Sequence, residues 1–272
     1  MDDFKDHYKG KKVLVTGADG FMGSHLTERL VNYGANVIAY VRWSSAASPH
    51  QIILKNINHI KDKVKIISGD IASFDIIENI KKVKPEIIFH LAAEAYVNKS
   101  FTQPREVIDA NTIGSLNVLH GCLNEDMKPA SFIKRIVITS SSEIYGTYDE
   151  PISEEFELRP STPYGASKVA ADRFSYSYFN TYGLPITIIR PFNTYGPRHT
   201  YDAPPKFITL ALMDKDITIY GSGEQCRDLM YVDDTINAFL IMGMHEKAVG
   251  QAVNFGTGKD TKIIDLAKTI IK

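Results

Sequence analysis

The sequence predicts an α/β protein built on a doubly wound parallel sheet, with a smaller C-terminal lobe, and three observations carry that expectation. Through residue 190, short β-branched apolar runs alternate with longer stretches of helical spacing, at a period of about thirty residues. The runs are nearly all apolar, as strands covered on both faces of a parallel sheet must be. Beyond Arg190, Pro191, Pro197, Pro204 and Pro205 cut the chain into shorter pieces, so residues 1–190 are expected to form the sheet domain and 191–272 the smaller lobe.

The expected strands, in order, are Val13–Thr16, Val37–Val41, Val64–Ser68, Ile87–Leu91, Ile136–Ser140 and Ile186–Arg190. Between them, apolar residues recurring every three or four positions predict helices over Met22–Tyr33, Asp75–Val83, Pro104–Leu123 and Tyr164–Tyr182. The third opens with proline, which suits a first helical turn. In the second lobe the pattern gives a helix Lys206–Met213, a strand Ile217–Tyr220, a helix opening at Asp233 or Asp234, and a last helix that starts at Ile263 and runs uncapped to the C-terminus.

Composition narrows the function classes. Of 272 residues 44% are hydrophobic and 23% charged, with 31 basic and 32 acidic side chains and a net charge of -1. That balance suits a globular protein with a substantial core and lacks the basic footprint of a nucleic-acid or membrane-surface binder. Cys122 and Cys226 stand far apart without metal-ligand spacing, so no disulfide and no metal site is expected. Met1–Lys12 is charged and lacks an apolar core, and no apolar run is long enough to span a bilayer. These features fit a cytoplasmic protein.

The strongest motif is Thr16-Gly17-Ala-Asp19-Gly20-Phe21-Met22-Gly23, a GxxGxxG between the first strand and first helix. In that setting Gly17 makes the tight turn, Gly20 lets the backbone approach a pyrophosphate and Gly23 lets helix and strand pack closely. The helix N-terminus adds free N–H groups and positive dipole, so a dinucleotide is expected there, in a Rossmann-type fold. The second strand ends Val41-Arg42, with valine where an acid would hold the ribose hydroxyls of NAD. Arg42 suits a 2′-phosphate, which favours NADP over NAD. Asp70, after the third strand, suits either the adenine amino group or a cap on the following turn.

Tyr164 and Lys168 stand four residues apart on one helical face, and the fifth strand ends in Ser141-Ser142-Glu143-Ile-Tyr145 at the edge where open parallel sheets bind ligands. Bringing a tyrosine from pKa about 10 toward 7 takes about 4 kcal/mol, within reach of a nearby ammonium in a dry site.

At these residues the chain resembles the extended short-chain dehydrogenases/reductases, specifically the nucleotide-sugar epimerases and dehydratases. The likeness runs from Thr16–Gly23 through His90-Leu91-Ala92-Ala93, the serine-rich strand end, Tyr164–Lys168, Arg190-Pro-Phe-Asn193-Thr-Tyr-Gly-Pro-Arg198 and Gly221–Asp234. The resemblance implies a cofactor site of Gly17, Asp19, Gly20, Phe21, Met22, Arg42, Asp70, Ile71, Leu91, Ala92, Ala93, Tyr164 and Lys168. It implies Ser141, Tyr164 and Lys168 as the catalytic group that oxidises the sugar at C4, and Asn193 and Arg227, with Glu94 and Arg198, as substrate contacts.

The branches of the family diverge after C4 oxidation. A 4-epimerase needs only rotation of the keto sugar, whereas a 4,6-dehydratase must also remove the C5 proton and expel the C6 hydroxyl, for which a carboxylate is the natural base. Glu143 is that candidate. The run Ser141–Tyr145 resembles dehydratases, as do Val41-Arg42-Trp43-Ser44-Ser45 and Leu91–Val97 for the GDP-mannose type; the phosphate turn is closer to epimerases and legionaminic-pathway dehydratases. Ser142 replaces the aspartate that some dehydratases use as acid. The expected activity is therefore an NAD(P)-dependent nucleotide-sugar 4,6-dehydratase. The alternatives are a 4-epimerase, then a UDP-glucuronate decarboxylase, a 4-keto-sugar reductase or a non-catalytic sugar-nucleotide binder. The resemblance further implies a homodimer pairing Pro104–Leu123 and Tyr164–Tyr182, with Tyr176, Tyr178 and Phe179 at the contact or in the core. Family members commonly continue beyond the point matching Lys272, so the chain is expected to be either a naturally short member or a truncated one with a weakened sugar-nucleotide site.

Overall fold

The computed structural model describes residues 2–42 and 54–272. Trp43, Ser44 and Ser45 of the expected dehydratase-like loop therefore lie outside the described residues. The chain runs α1 (Asp2–Tyr8), β1 (Lys12–Thr16), α2 (Phe21–Asn32), β2 (Asn36–Val41), β3 (Lys65–Ser68), α3 (Asp75–Val83), β4 (Ile87–His90), α4 (Lys99–Thr102), α5 (Pro104–Ile108) and α6 (Gly114–Gly121). It continues β5 (Arg135–Thr139), α7 (Pro163–Tyr182), β6 (Ile186–Pro191), β7 (Asn193–Tyr195), α8 (Ala203–Leu212), β8 (Cys226–Tyr231), α9 (Val232–Met244), β9 (Ala252–Phe255), β10 (Asp260–Lys262) and α10 (Ile263–Ile270).

Among the described residues the large sheet has seven strands in the order β3-β2-β1-β4-β5-β6-β9. Each pairing is parallel, and the order reverses between β1 and β4. Alternate residues feed the two cores. Val13 and Val15 face the layer with Leu26, Leu30 and Phe239 from α2 and α9, while Leu14, Ile136 and Ile138 face Ile76, Ile80, Val118 and Leu119 on the opposite side. β3 departs from the expected full burial, because at the sheet edge its residues are only partly covered.

Three expectations need correction. The expected helix Pro104–Leu123 is broken by a π-helical turn at Asp109–Ile113, which inserts one wide turn between α5 and α6. Ile217–Tyr220 forms no strand: β8 is the centre of a three-stranded sheet, parallel to β7 and antiparallel to β10, and both its edges are already paired. The last helix closes at Ile270, where the Ile271 N–H donates to the Ala267 carbonyl.

The boundary expected at residue 190 is crossed twice. β7, α8 and β8 form a small lobe with β10 and α10 around Phe207, Ile263 and Ala267. Between them, α9 returns to pack on α2, and β9 hydrogen-bonds beside β6 as the outermost strand of the large sheet. Apolar Ile236, Phe239 and Leu240 require the larger core; at about 1.5–3 kcal/mol per buried side chain, the small lobe offers them no comparable site.

Candidate active site

The turn between β1 and α2 is shaped by two close backbone approaches. Gly17 has φ +70°, and a Cβ there would lie 2.8 Å from the Ala92 nitrogen; one on Gly23 would lie 2.0 Å from the Gly17 carbonyl oxygen. The start of α2 has neither a capping side chain nor an acidic residue in its first turn, so its amides and dipole remain available to an anion. A cavity of about 520 Å³ opens onto this turn, lined by Gly17, Gly20, Phe21, Met22, Arg42, Asp70, Ile71, and Leu91–Ala93. That shape and donor set fit a dinucleotide. Asp19 also lines the cavity, but its carboxylate accepts the backbone N–H groups of Lys55, Asn56 and Ile57 at 2.8, 2.7 and 3.0 Å, so it organises the neighbouring loop.

Asp70 caps the following turn, one of the two roles expected of it. It borders the cavity, and its carboxylate accepts the Ala72 N–H at 2.9 Å. Arg42 is largely exposed at the cavity wall, 3.7 Å from Glu94. Glu94, expected against the sugar, instead faces this cavity, where Lys99 donates to it at 2.8 Å. The reason is local: Asn111 holds the Glu94 backbone through the Glu94 N–H (2.8 Å) and carbonyl (3.2 Å), which fixes the side chain on the side of this cavity.

α7 starts from a built cap: Thr162 accepts the Gly165 N–H at 2.9 Å and Pro163 occupies the first turn, which sets Tyr164 and Lys168 on the face toward β5. Tyr164 and Ser141 are 7% and 8% exposed, so the reactive groups are almost closed off from water. Burial pushes the Tyr164 phenol well above its usual range; Ser141 pulls it down, while Tyr201, Glu143 and Asp202 push it further up. Burial brings the Lys168 ammonium down to about 8, against the pull of Asp172. Lys168 donates to the Thr139 carbonyl at 2.9 Å, and no hydrogen bond joins it to Tyr164. Ser142 and Glu143 form a short 3-10 turn after Ser141, whose hydroxyl accepts the Glu143 N–H at 3.2 Å. The hydroxyls of Thr139 and Ser140 are buried without protein partners.

Several polar residues behind the site were not singled out from the sequence. Ser115 donates its hydroxyl proton to the Asn111 carbonyl (2.6 Å) and so accepts from His90 Nε2–H (2.9 Å), which leaves Nδ1 to accept from Thr16 (2.7 Å). Thr16 in turn accepts the Ala92 N–H at 3.2 Å, binding the β1 and β4 ends together at the phosphate turn. Burial and Lys168 bring the His90 pKa to about 3, so the ring is neutral. Asn111, in the π turn, donates to Ser167 at 3.0 Å and thereby joins α7 to the Glu94 loop. Thr16 and His90 stand in the sequence only as members of two separate motifs, and the π turn that aims Asn111 has no sequence pattern of its own.

Asn193 and Arg227 line a second cavity of about 310 Å³ together with Tyr96, His199 and Asp202. Arg198 does not join them. It adopts φ +72° and turns to α2, donating to Ser24 at 3.1 Å and Glu28 at 2.7 Å. This turn carries a feature missed in the sequence: His199 stacks on Phe21 with ring centroids 4.6 Å apart and meets Tyr201 edge-on at 4.7 Å. Tyr201 lines the first cavity and His199 the second, so this aromatic strap divides them.

The family model described as GDP-mannose 4,6 dehydratase matches residues 14–272. A dTDP-D-glucose 4,6-dehydratase of Dictyostelium discoideum is 32% identical over 98% of this chain and 63% of its own, so the chain spans less than two thirds of that relative's length. A UDP-glucose 4-epimerase of Mycolicibacterium smegmatis is 33% identical over 95% of this chain and 81% of its own. Among solved structures, the dTDP-glucose 4,6-dehydratase of Bacillus anthracis in complex with NAD superposes with a TM-score of 0.82 at 27% identity, covering 96% of this chain and 80% of that one.

Proposed function

The chain belongs to the NAD-dependent nucleotide-sugar 4,6-dehydratases and epimerases of the extended short-chain dehydrogenase/reductase family, and from that membership we propose that it is a nucleotide-sugar 4,6-dehydratase. The observation that carries the choice of reaction is Glu143, a carboxylate on the turn directly after Ser141 and close enough to the Tyr164 phenol to push its pKa up. Epimerisation at C4 has no use for a base there; removal of the C5 proton does.

In this reading, the residues lining the 520 Å³ cavity would hold the cofactor, with Gly17, Gly20 and the free amides at the start of α2 available to its pyrophosphate. The cofactor would supply the hydride acceptor and donor. Tyr164 takes the proton of the sugar C4 hydroxyl, assisted by Ser141, and Lys168 contributes positive charge beside it. Glu143 then removes the proton at C5, and the C6 hydroxyl leaves as water. Since the Ser142 hydroxyl is far too weak an acid to protonate a leaving group, the leaving hydroxyl takes its proton from Glu143, which has just received one from C5, or from a water. Asn193 and Arg227 hold the diphosphate in the second cavity, where a guanidinium matches phosphate geometry.

Arg42 favours NADP, as an exposed guanidinium at the cavity wall with no acid at the end of β2. The apolar Phe101, Ile108 and Ile113, exposed along α4–α6, and Phe174 and Tyr176, exposed on α7, favour a homodimer through those helices. Tyr178 and Phe179 are partly buried and pack against the core. No helix among the described residues is long and apolar enough to cross a membrane.

The second reading is a 4-epimerase, favoured by Ser142 in place of an acid. Incubating the protein with GDP-, UDP-, dTDP- and CDP-hexoses and NAD(P)⁺, with products followed by NMR, separates the two. A 6-deoxy-4-keto sugar supports dehydration; a C4 epimer supports the second reading; binding without turnover overturns both.

A further inference from the structure

Beneath Lys168, Asp172 lies one turn further along α7 on the same inward face, wholly buried. Its carboxylate accepts from Arg190 of β6 through Nε (2.9 Å) and a terminal nitrogen (3.1 Å), and from Arg173 Nε (3.1 Å). The second terminal nitrogen of Arg190 donates to the Tyr145 hydroxyl at 2.7 Å, and that hydroxyl donates to Asn254 of β9 at 2.9 Å. The Arg190 guanidinium also lies over the Tyr145 ring, 5.3 Å from its centroid.

A buried ion pair is a poor means of gaining stability, since desolvating both charges consumes most of their attraction. Its position suggests another use. We propose that Asp172 and Arg190 form a positioning brace that keeps the Lys168 ammonium charged and anchors the Ser141–Tyr145 turn. The groups facing Lys168 are few: Tyr164 and Asp172 from α7, the Thr139 carbonyl from β5, and the neutral His90 from β4. Asp172 is the negative charge among them that opposes desolvation of the ammonium. Arg190 keeps that carboxylate ionised and fixed, and Arg173, half exposed, completes its hydrogen bonds. Through Tyr145, the same arginine ties the carboxyl end of the serine-rich turn to β9, so the acid/base helix and that turn share one anchor.

The test is the ionisation of Lys168 itself, followed in the cofactor-free protein by NMR of ¹³Cε-labelled lysine, with Lys168→Arg assigning the resonance. This readout is independent of which reaction the protein catalyses. Asp172→Asn is expected to lower the Lys168 titration midpoint by about one pH unit or more, and Asp172→Glu to restore most of it. An Asp172→Asn midpoint within about 0.3 unit of wild type overturns the proposal. Because Asp172→Asn leaves Arg190 buried and unpaired, Asp172→Asn/Arg190→Met provides a second test without that charge; an unshifted Lys168 there also overturns it.

Discussion

The Lys168 ammonium donates to the Thr139 carbonyl at 2.9 Å, at the end of the strand that leads into Ser141, and is not hydrogen-bonded to the Tyr164 phenol one turn before it on α7. The basic group of the site is therefore held by the sheet. With burial dominating, the phenol of the free protein stays protonated at neutral pH.

Ionisation of Tyr164 should therefore depend on bound cofactor. Ultraviolet difference titration near the phenolate band should reveal no ionisation of Tyr164 below pH 9 in the free protein, and a lower midpoint with NAD(P)⁺ present. Tyr164→Phe should remove that difference and reduce turnover about 10²–10⁴-fold while leaving the cofactor dissociation constant within about twofold. Equal loss of cofactor binding would mean that the phenol serves mainly as a binding contact.

Glu143→Gln should allow C4 oxidation, visible as nicotinamide absorbance in a single turnover, but stop incorporation of solvent deuterium at C5. The net dehydration rate should fall about 10²-fold or more. Wild-type deuterium incorporation in this variant would remove Glu143 from the base role.

Cofactor choice should respond to Arg42 and Glu94 in opposite senses. Arg42→Ala should weaken NADP about tenfold more than NAD, because one charge-assisted phosphate contact is lost. Glu94→Gln, which relieves Arg42 of a carboxylate 3.7 Å away, should strengthen NADP. Isothermal titration with both cofactors checks the pair of effects; equal changes for NAD and NADP would count against a 2′-phosphate site.

His90 makes the fold acid-sensitive. Its folded pKa, about 3, is depressed below the ordinary 6.5, so the neutral ring is what the fold stabilises. That contribution is whole above about pH 6.5 and is lost as pH falls toward 3, on the order of 5 kcal/mol at the limit. Urea unfolding at pH 7 and pH 4.5 should therefore show a larger loss of stability for wild type than for His90→Gln, whatever their difference at pH 7.

Arg198→Ala should lower stability by about 1 kcal/mol through the lost Ser24 and Glu28 contacts while leaving the KM for the sugar nucleotide unchanged. A rise in KM of tenfold would return Arg198 to the substrate site.

The strands β1, β2, β4, β5 and β6 were legible because each is a run of mostly apolar residues that suits a doubly covered sheet, and the edge strand β3 was legible from its β-branched run. β9 was not: Ala252-Val-Asn-Phe is short, and its polar Asn254 has meaning only beside Tyr145 and residue 152. Ile217–Tyr220 has the composition of a strand and lacks a free neighbour. At the site, the positions of Gly17, Tyr164 and Lys168 follow from local motif; the directions of Glu94 and Arg198 do not, because they depend on Asn111 and on a left-handed turn against α2. The brace of Asp172 and Arg190 was hidden for a similar reason, since its partners are separated by eighteen residues and joined only across the sheet.

The position of β9 bears on how the chain comes together. Until Phe255 has been synthesised, β6 is a bare sheet edge carrying Ile186, Ile188 and Ile189 on an otherwise complete six-stranded platform. Such an edge invites pairing with a neighbouring polypeptide. A fragment ending near residue 190 should therefore be more prone to self-association than the longer chain, in which β9 covers that edge.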